Sequence, residues 1–253
     1  MKTKEEIWLS KRLGMITASE LGSITSQSGK IIDGVVSYIR SKRFERVHGY
    51  SLPVSSRAME IGKETEPMIF EWIKANCPEG EDPSTFIYSR DLEEIPFWRA
   101  PDTPLGASPD AFTKDEHLVF EFKTLVGNEN TEFFCDKYTS YAEKTYRVVK
   151  EHIDQITGLF ISNPKVQRII LVKYAPQRDD IMDDRDSPLA PWRGISFIFD
   201  RDAYPKWIEE MKERINLIDA MIDSDINPSE FKVGVWSLSN GGLVKTNPES
   251  KKK

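Results

Sequence analysis

Hydrophobic and polar positions change period twice along this chain, separating helical outer segments from a strand-rich middle. Residues 4–12 follow a helical pattern, and Thr17-Ala-Ser-Glu20 has the spacing of a capping box that opens a second short helix. In 31–48, Ile31, Ile32, Val35, Val36, Ile39 and Phe44 recur near the helical period, with Arg40, Lys42, Arg43 and Arg46 on the polar side. A further helix is predicted over 54–75, with Met59, Phe70, Trp72 and Ile73 as core positions and Pro67 beginning a helical stretch or kinking it. The period then shortens. Thr85–Tyr88, Phe97–Ala100 and Leu118–Lys123 read as strands bounded by Pro, Gly, Asp and Ser. A helix at 143–161 follows, then strands Arg168–Tyr174 and Gly194–Phe199. The last amphipathic helix spans 202–223, with Trp207, Met211, Ile215, Ile218 and Ile222 on one face.

This order, helices early, strands central and helices flanking, predicts one α/β or α+β domain over 1–235 with no linker and no internal repeat. A C-terminal tail from 236 to 253 is expected to be disordered. The loop at 176–191, with five Asp and three Pro, is expected to be a mobile connection.

Composition narrows the class. In 253 residues, 39% are hydrophobic, 11% aromatic and 30% charged, which suits a globular domain with a sizeable core. No apolar run approaches the roughly 18 residues of a membrane span. The segment Met1-Lys-Thr-Lys-Glu-Glu lacks the apolar stretch of a signal peptide, and Cys77 and Cys135 lie far apart. A cytosolic, reduced protein without a membrane partner or an iron–sulfur cluster is therefore expected. Net charge is −6, from 35 basic against 41 acidic residues. That balance weighs mildly against a nucleic-acid partner, although a local basic groove is compatible with an acidic exterior.

The strand at 118–123 carries the chemistry. Side chains alternate faces along a strand, so Leu118, Phe120 and Phe122 share one face while Val119, Glu121 and Lys123 share the other. Upstream, Gly106-Ala-Ser-Pro-Asp-Ala-Phe112 delivers Asp110 beside a tight turn. A hairpin between them would bring both carboxylates and the Lys123 amine to one end of a sheet. Two carboxylates with a lysine suit cation-assisted phosphodiester hydrolysis: oxygen ligands hold Mg²⁺, which polarises a phosphate and acidifies a water. A surface Glu–Lys pair beside a turn Asp is the plain alternative.

Pro109-Asp110…Glu121-Phe-Lys123 resembles the signature of the PD-(D/E)xK nuclease superfamily. Arg57-Ala-Met-Glu-Ile-Gly-Lys-Glu-Thr-Glu66 and Glu151-His-Ile-Asp-Gln155 resemble the helices that flank it. Trp8-Leu-Ser-Lys-Arg12-Leu-Gly-Met-Ile-Thr-Ala-Ser19-Glu narrows the resemblance to the bacteriophage lambda exonuclease family, the YqaJ-like viral recombinases. Gly62-Lys-x-x-Glu66, Ser108-Pro-Asp110, Glu121-x-Lys123, Gln155 and Lys173-Tyr-Ala-Pro176 follow in the family's order. The chain departs from that pattern at Ala111, where relatives often carry Gly, and at Leu125, where Pro is frequent.

The resemblance implies a central mixed β-sheet flanked by helices. It also implies a Mg²⁺-dependent exonuclease that degrades one strand of duplex DNA from its 5′ end, with one or two ions and with Mn²⁺ able to substitute. The metal ligands would fall on Asp110, Glu121 and Glu66, with the Phe122 carbonyl assisting; Glu64 is a rival to Glu66. Lys123 would activate water, and Gln155 would orient the water, Lys123 or a phosphate oxygen. Arg12, Ser19 and Ser108 would hold the 5′-terminal phosphate. Partners would be double-stranded DNA ends, a single-strand annealing protein and further copies of the chain in a homotrimeric ring, in a phage- or prophage-encoded recombination system. An endonuclease of the same superfamily and a catalytically silent scaffold that binds DNA ends are the rival readings.

Several residues keep two readings. Arg40–Arg46 could track DNA phosphates or be a solvated face, and Asp154 could be mistaken for Gln155. His48, His117 and His152 are read as structural or surface residues, and Cys77 and Cys135 as small core side chains.

Overall fold

Three seven-residue strands rich in Val, Ile, Leu and Phe form the centre of the fold. A computed structural model describes residues 2–24, 34–51, 56–125, 140–176, 187–232 and 235–246. Their helices are α1 (Lys4–Arg12), α2 (Gly34–His48), α3 (Arg57–Ala75), α4 (Tyr141–Ser162) and α5 (Pro205–Asp223). Their strands are β1 (Ile16–Thr17), β2 (Phe86–Tyr88), β3 (Trp98–Arg99), β4 (Leu105–Ala107), β5 (Ala111–Thr113), β6 (Leu118–Thr124), β7 (Arg168–Tyr174), β8 (Gly194–Asp200), β9 (Val235–Ser239) and β10 (Gly242–Thr246).

The main sheet has the order β2-β5-β6-β7-β8. Only β6 and β7 pair in parallel, in the register Glu121↔Leu171 and Lys123↔Lys173, and the other neighbours are antiparallel. A parallel pair needs a crossover, and the chain returns through α4 to make it. A small sheet, β1-β4-β3, lies beside the main one, with β1 parallel to β4.

Both faces of the main sheet are covered. On one, Leu118, Phe120, Phe122, Ile170, Val172 and Tyr174 pack against Ile69, Phe70, Trp72 and Ile73 of α3. On the other, Val119, Ile169, Leu171, Phe197 and Phe199 pack against Ile156, Leu159 and Phe160 of α4 and Met211, Ile215 and Ile218 of α5. This is why β6 and β7 read as near-continuous apolar runs rather than alternating ones. Among the described residues no helix is long and apolar enough to cross a membrane.

The structure corrects several expectations. The capping box at 17–20 opens a 3-10 turn, Ala18–Ser23, rather than an α-helix. Met59 is 49% exposed, so α3 buries its C-terminal half only. The same helix runs through Pro67 from Arg57 to Ala75. On α5 the buried stripe is Ile208, Met211, Ile215, Ile218, Met221 and Ile222, with Trp207 at its margin. Residues 236–246 are not a loose tail: β9 and β10 form a hairpin, and Trp236 stacks edge-on to Phe231, 5.0 Å between ring centres. The short strands β1, β4 and β5 carry no sequence signal, because two or three residues show no period. Ile31, Ile32, Cys135, most of the 176–191 loop and residues 247–253 lie outside the described residues.

Most of the basic cluster of α2 is engaged within the fold, and Arg40 is exposed. Arg43 donates to the carbonyls of Ile222 (2.9 Å) and Met221 (2.7 Å), closing the C-terminal end of α5. Arg46 bridges Asp219 and Asp223, 2.6 Å each, and donates to the Gly14 carbonyl at 2.9 Å. Arg40 bonds Ser229, and Lys42 is buried.

Close approach of α4 to the turn after β1 depends on Gly158. A Cβ there would meet Ala18 Cβ at 2.6 Å, Ala18 Cα at 2.9 Å and Leu21 Cδ1 at 2.9 Å. Alanine in a helix interior is favoured over glycine by about 1 kcal/mol, whereas overpacking costs about 1–3 kcal/mol. Because backbone is among the clashing atoms, Gly158→Ala is expected to lose about 1–2 kcal/mol net. Urea unfolding measures this, and an unchanged or higher midpoint would contradict it.

Candidate active site

Strand alternation places Glu121 and Lys123 on the face of β6 that α4 covers, and the two side chains meet 2.9 Å apart. Gln155, on α4, closes the triangle. Its Nε2 donates to Glu121 Oε1 at 2.6 Å, and its Oε1 accepts from Lys123 Nζ at 2.9 Å. One turn earlier on the same helix, Glu151 accepts from Lys173 Nζ at 2.8 Å. Since Lys123 and Lys173 are register partners, α4 lies across the parallel pair and clasps both lysines. Asp154 is buried but does not line the site; its burial raises its carboxyl above the usual range, against the charge of Arg214. The helix residue that faces the strand acids is Gln155.

Asp110 precedes β5, and the β5–β6 hairpin pairs Ala111 with Phe120. Its Oδ2 accepts from the Phe122 amide at 2.7 Å, tying the turn to the strand. Ser89 fixes the turn from the other side: its hydroxyl donates to the Pro109 carbonyl at 2.6 Å, and its amide donates to the Asp110 carbonyl at 3.0 Å. Glu66, on α3, points into the same cleft and accepts through Oε2 from Arg90 Nε (2.7 Å) and Tyr88 Oη (3.2 Å). Glu64 is exposed, because two residues along a helix turn a side chain to the far flank.

Each of the three acids therefore has one oxygen bound by protein donors. Among the described residues the other oxygen, Glu121 Oε2, Glu66 Oε1 and Asp110 Oδ1, accepts no protein hydrogen bond. Among the described residues no three such groups are drawn tightly enough to enclose an ion. They do repel one another: burial, then the charges of Glu121 and Glu66, push Asp110 well above the usual carboxylate range. Burial pulls the Lys123 ammonium down, but the charge and hydrogen bond of Glu121 outweigh it and hold the group above its ordinary value.

The acids line a cleft of about 840 Å³ that also contains Trp8, Arg12, Ser19 and Ser108. Trp8 Nε1 donates to Ser108 Oγ at 2.7 Å, which leaves the Ser108 proton available to an anion. The Arg12 guanidinium stacks on the Trp8 ring, 4.4 Å from its centre. Burial pulls Arg12 below its ordinary value, and the charges of Glu20 and Glu45 partly offset this. Ser19 stands in the first turn after β1, 3.3 Å from Thr17 Oγ1. All of the candidate residues expected from sequence thus border one cleft. Arg90 and Glu45 do so as well, and Tyr88 bonds to Glu66, which does; no spacing rule ties them to the motifs.

The sequence matches no family model and no curated protein. Solved structures do match. A structure titled LHK-Exo in complex with dAMP has a TM-score of 0.58 and 22% identity, covering 86% of this chain and 94% of that one. An alkaline exonuclease, LHK-Exo, from Laribacter hongkongensis has a TM-score of 0.57 and 21% identity, with the same coverage. A phage-related exonuclease from Haemophilus somnus 129PT has a TM-score of 0.54 and 16% identity, covering 83% and 93%. The chain has the fold of these exonucleases, a mixed sheet flanked by helices.

Ionising Asp110 costs stability, since its folded value lies above its unfolded one. The cost is present above the ordinary carboxylate pKa of about 4 and vanishes below it. Asp110→Asn keeps an acceptor for the Phe122 amide, so in EDTA at pH 7 it is expected to raise Tm by about 2–4 °C. The gain should shrink toward pH 4. Thermal melting at both pH values is the measurement, and a variant less stable than the parent at pH 7 would contradict the assignment.

Proposed function

We propose that the protein is a Mg²⁺-dependent exonuclease that degrades one strand of linear duplex DNA from its 5′ end, leaving a 3′ single strand for recombination by annealing. The observation that carries this reading is the Glu121–Lys123–Gln155 triangle, set in one cleft with Asp110, Glu66 and the Arg12 corner. The fold shared with three exonuclease structures supports it.

The donor types suit the cation, which would have to draw the three acids closer together. Three carboxylates with unclaimed oxygens, beside the Phe122 main chain, are hard oxygen ligands of the kind Mg²⁺ and Mn²⁺ take, and their mutual repulsion is what a divalent charge relieves. Bound by Asp110, Glu121, Glu66 and the Phe122 carbonyl, one or two ions would polarise the scissile phosphate and acidify a water.

The protein's own groups do the rest. Lys123 donates from Nζ, holding the attacking water and countering negative charge that develops on the phosphate oxygens. Gln155 fixes Lys123 by accepting from it and fixes Glu121 by donating to it, so neither end group can rotate freely. Arg12 presents a guanidinium fork, held over the Trp8 ring, to a terminal phosphate, and Ser19 and Ser108 add hydroxyl donors. Anchoring the end phosphate selects which linkage reaches Glu121, which makes the enzyme an exonuclease. A homotrimeric ring and a single-strand annealing protein as partner belong to the same reading.

End-labelled linear duplex incubated with Mg²⁺ is expected to lose the 5′ label first, while covalently closed circles stay intact. Glu121→Ala or Lys123→Ala should lower the rate by at least about 10³-fold. Cutting of closed circles would indicate an endonuclease instead, and retained activity in either variant would remove the assigned roles. A second expectation is faster digestion of 5′-phosphorylated than of 5′-hydroxyl ends, with the preference lost in Arg12→Ala; equal rates on both ends in the parent would remove the pocket.

A further inference from the structure

Lys42 lies on the side of α2 that its sequence pattern marks as polar, yet it is only 5% exposed. Its Nζ sits 3.1 Å from Glu20 Oε1 and 3.1 Å from Glu45 Oε2. Those two carboxylates are also the ones whose charges act on Arg12. Arg12, Glu20, Lys42 and Glu45 all line the cleft.

A guanidinium that shares a cleft with two carboxylates can pair with one of them, because its fork matches a carboxylate as well as it matches a phosphate. Arg12 does not: among the described residues it makes no ion pair and rests on Trp8. The acids are engaged elsewhere. Glu20 Oε2 accepts from the Thr17 amide and the Tyr38 hydroxyl, 3.1 Å each. Glu45 Oε2 accepts from the Gly14 amide at 2.9 Å. The one full positive charge in that set is Lys42, and an ammonium, a compact point charge, can serve two acids at once. Without it, two partly desolvated negative charges would face Arg12 alone.

We propose that Lys42 is a specificity-determining positioning residue, which by occupying Glu20 and Glu45 keeps the Arg12 guanidinium unpaired for the terminal phosphate of a DNA strand. The proposal rests on the reading of Arg12 given under Proposed function. It assigns Lys42 no contact with DNA.

The test is binding in EDTA, independent of cleavage, by fluorescence anisotropy with duplexes carrying a 5′-phosphate or a 5′-hydroxyl. In Lys42→Met the ratio of the two dissociation constants is expected to fall about tenfold toward one, through loss of a charge-assisted contact. Lys42→Arg should keep most of it. The triple variant Lys42→Met, Glu20→Gln, Glu45→Gln removes the competing acids and should recover the ratio to within about threefold of the parent. A triple variant that stays low would mean that Lys42 touches the phosphate itself, overturning the proposal. So would a parent-like ratio in Lys42→Met with an intact melting curve. If Lys42→Met does not fold, Lys42→Gln carries the same prediction with a retained polar end. A parent ratio near one would overturn the phosphate-end reading and this proposal with it, whereas a high parent ratio that ignores Lys42 overturns this proposal alone.

Discussion

Glu121 is a carboxylate 4% exposed between Phe120 and Phe122 on a strand covered on both faces. A charge that deep persists only where partners replace water. Lys123 supplies the counter-charge from two residues along the same face, and Gln155 supplies a neutral donor from the helix that crosses above. Much of the architecture follows from bringing these three together. The parallel β6–β7 pair needs a crossover, the crossover is α4, and α4 can lie low enough because Gly158 lets it touch the turn after β1. The same turn carries Ser19, so one packing contact ties the acidic end of the cleft to its Arg12 corner.

The overall acidic balance of the chain is a poor guide to what the cleft can bind. Around it, cations are largely matched to acids: Lys63 with Glu5, Arg90 with Glu66, Lys11 with Glu94 and Lys42 with Glu20 and Glu45. What distinguishes Arg12 is that its neighbours' charges are already engaged. Affinity for a phosphate depends on which positive group has no better partner nearby, and net charge averages that information away. The α2 arginines make the same point in reverse. Arg43 and Arg46 are basic and close in sequence, yet Arg43 closes the end of α5 and Arg46 binds Asp219 and Asp223.

The elements that periodicity revealed are the ones whose burial is one-sided or complete over several residues. β7 spans the expected residues, and β8 and α5 lie close to them, because each buries a regular stripe; α1 also spans the expected residues, though it buries none of them fully. The short strands β1, β4 and β5 carried no period, and their pairing partners lie far off in sequence. Trp236 reads as part of a polar tail until Phe231 is seen beside it. Met59 reads as core until the bare N-terminal half of α3 is seen.

Sequence alone determined which chemical groups this protein owns and their local order: an acid and an amine on one strand face, an acid at a turn, a glutamine on a later helix, and an arginine four residues after a tryptophan. Alternation along a strand and the helical turn are local rules, so these placements needed no knowledge of the rest of the chain. Only the tertiary structure decided that α3 turns Glu66 rather than Glu64 inward, that Gln155 rather than Asp154 meets Lys123, and that Lys42 is buried between Glu20 and Glu45. Those outcomes depend on which helix flank meets which sheet face across long separations in sequence, and on pairing energies set by burial, neither of which a local pattern encodes.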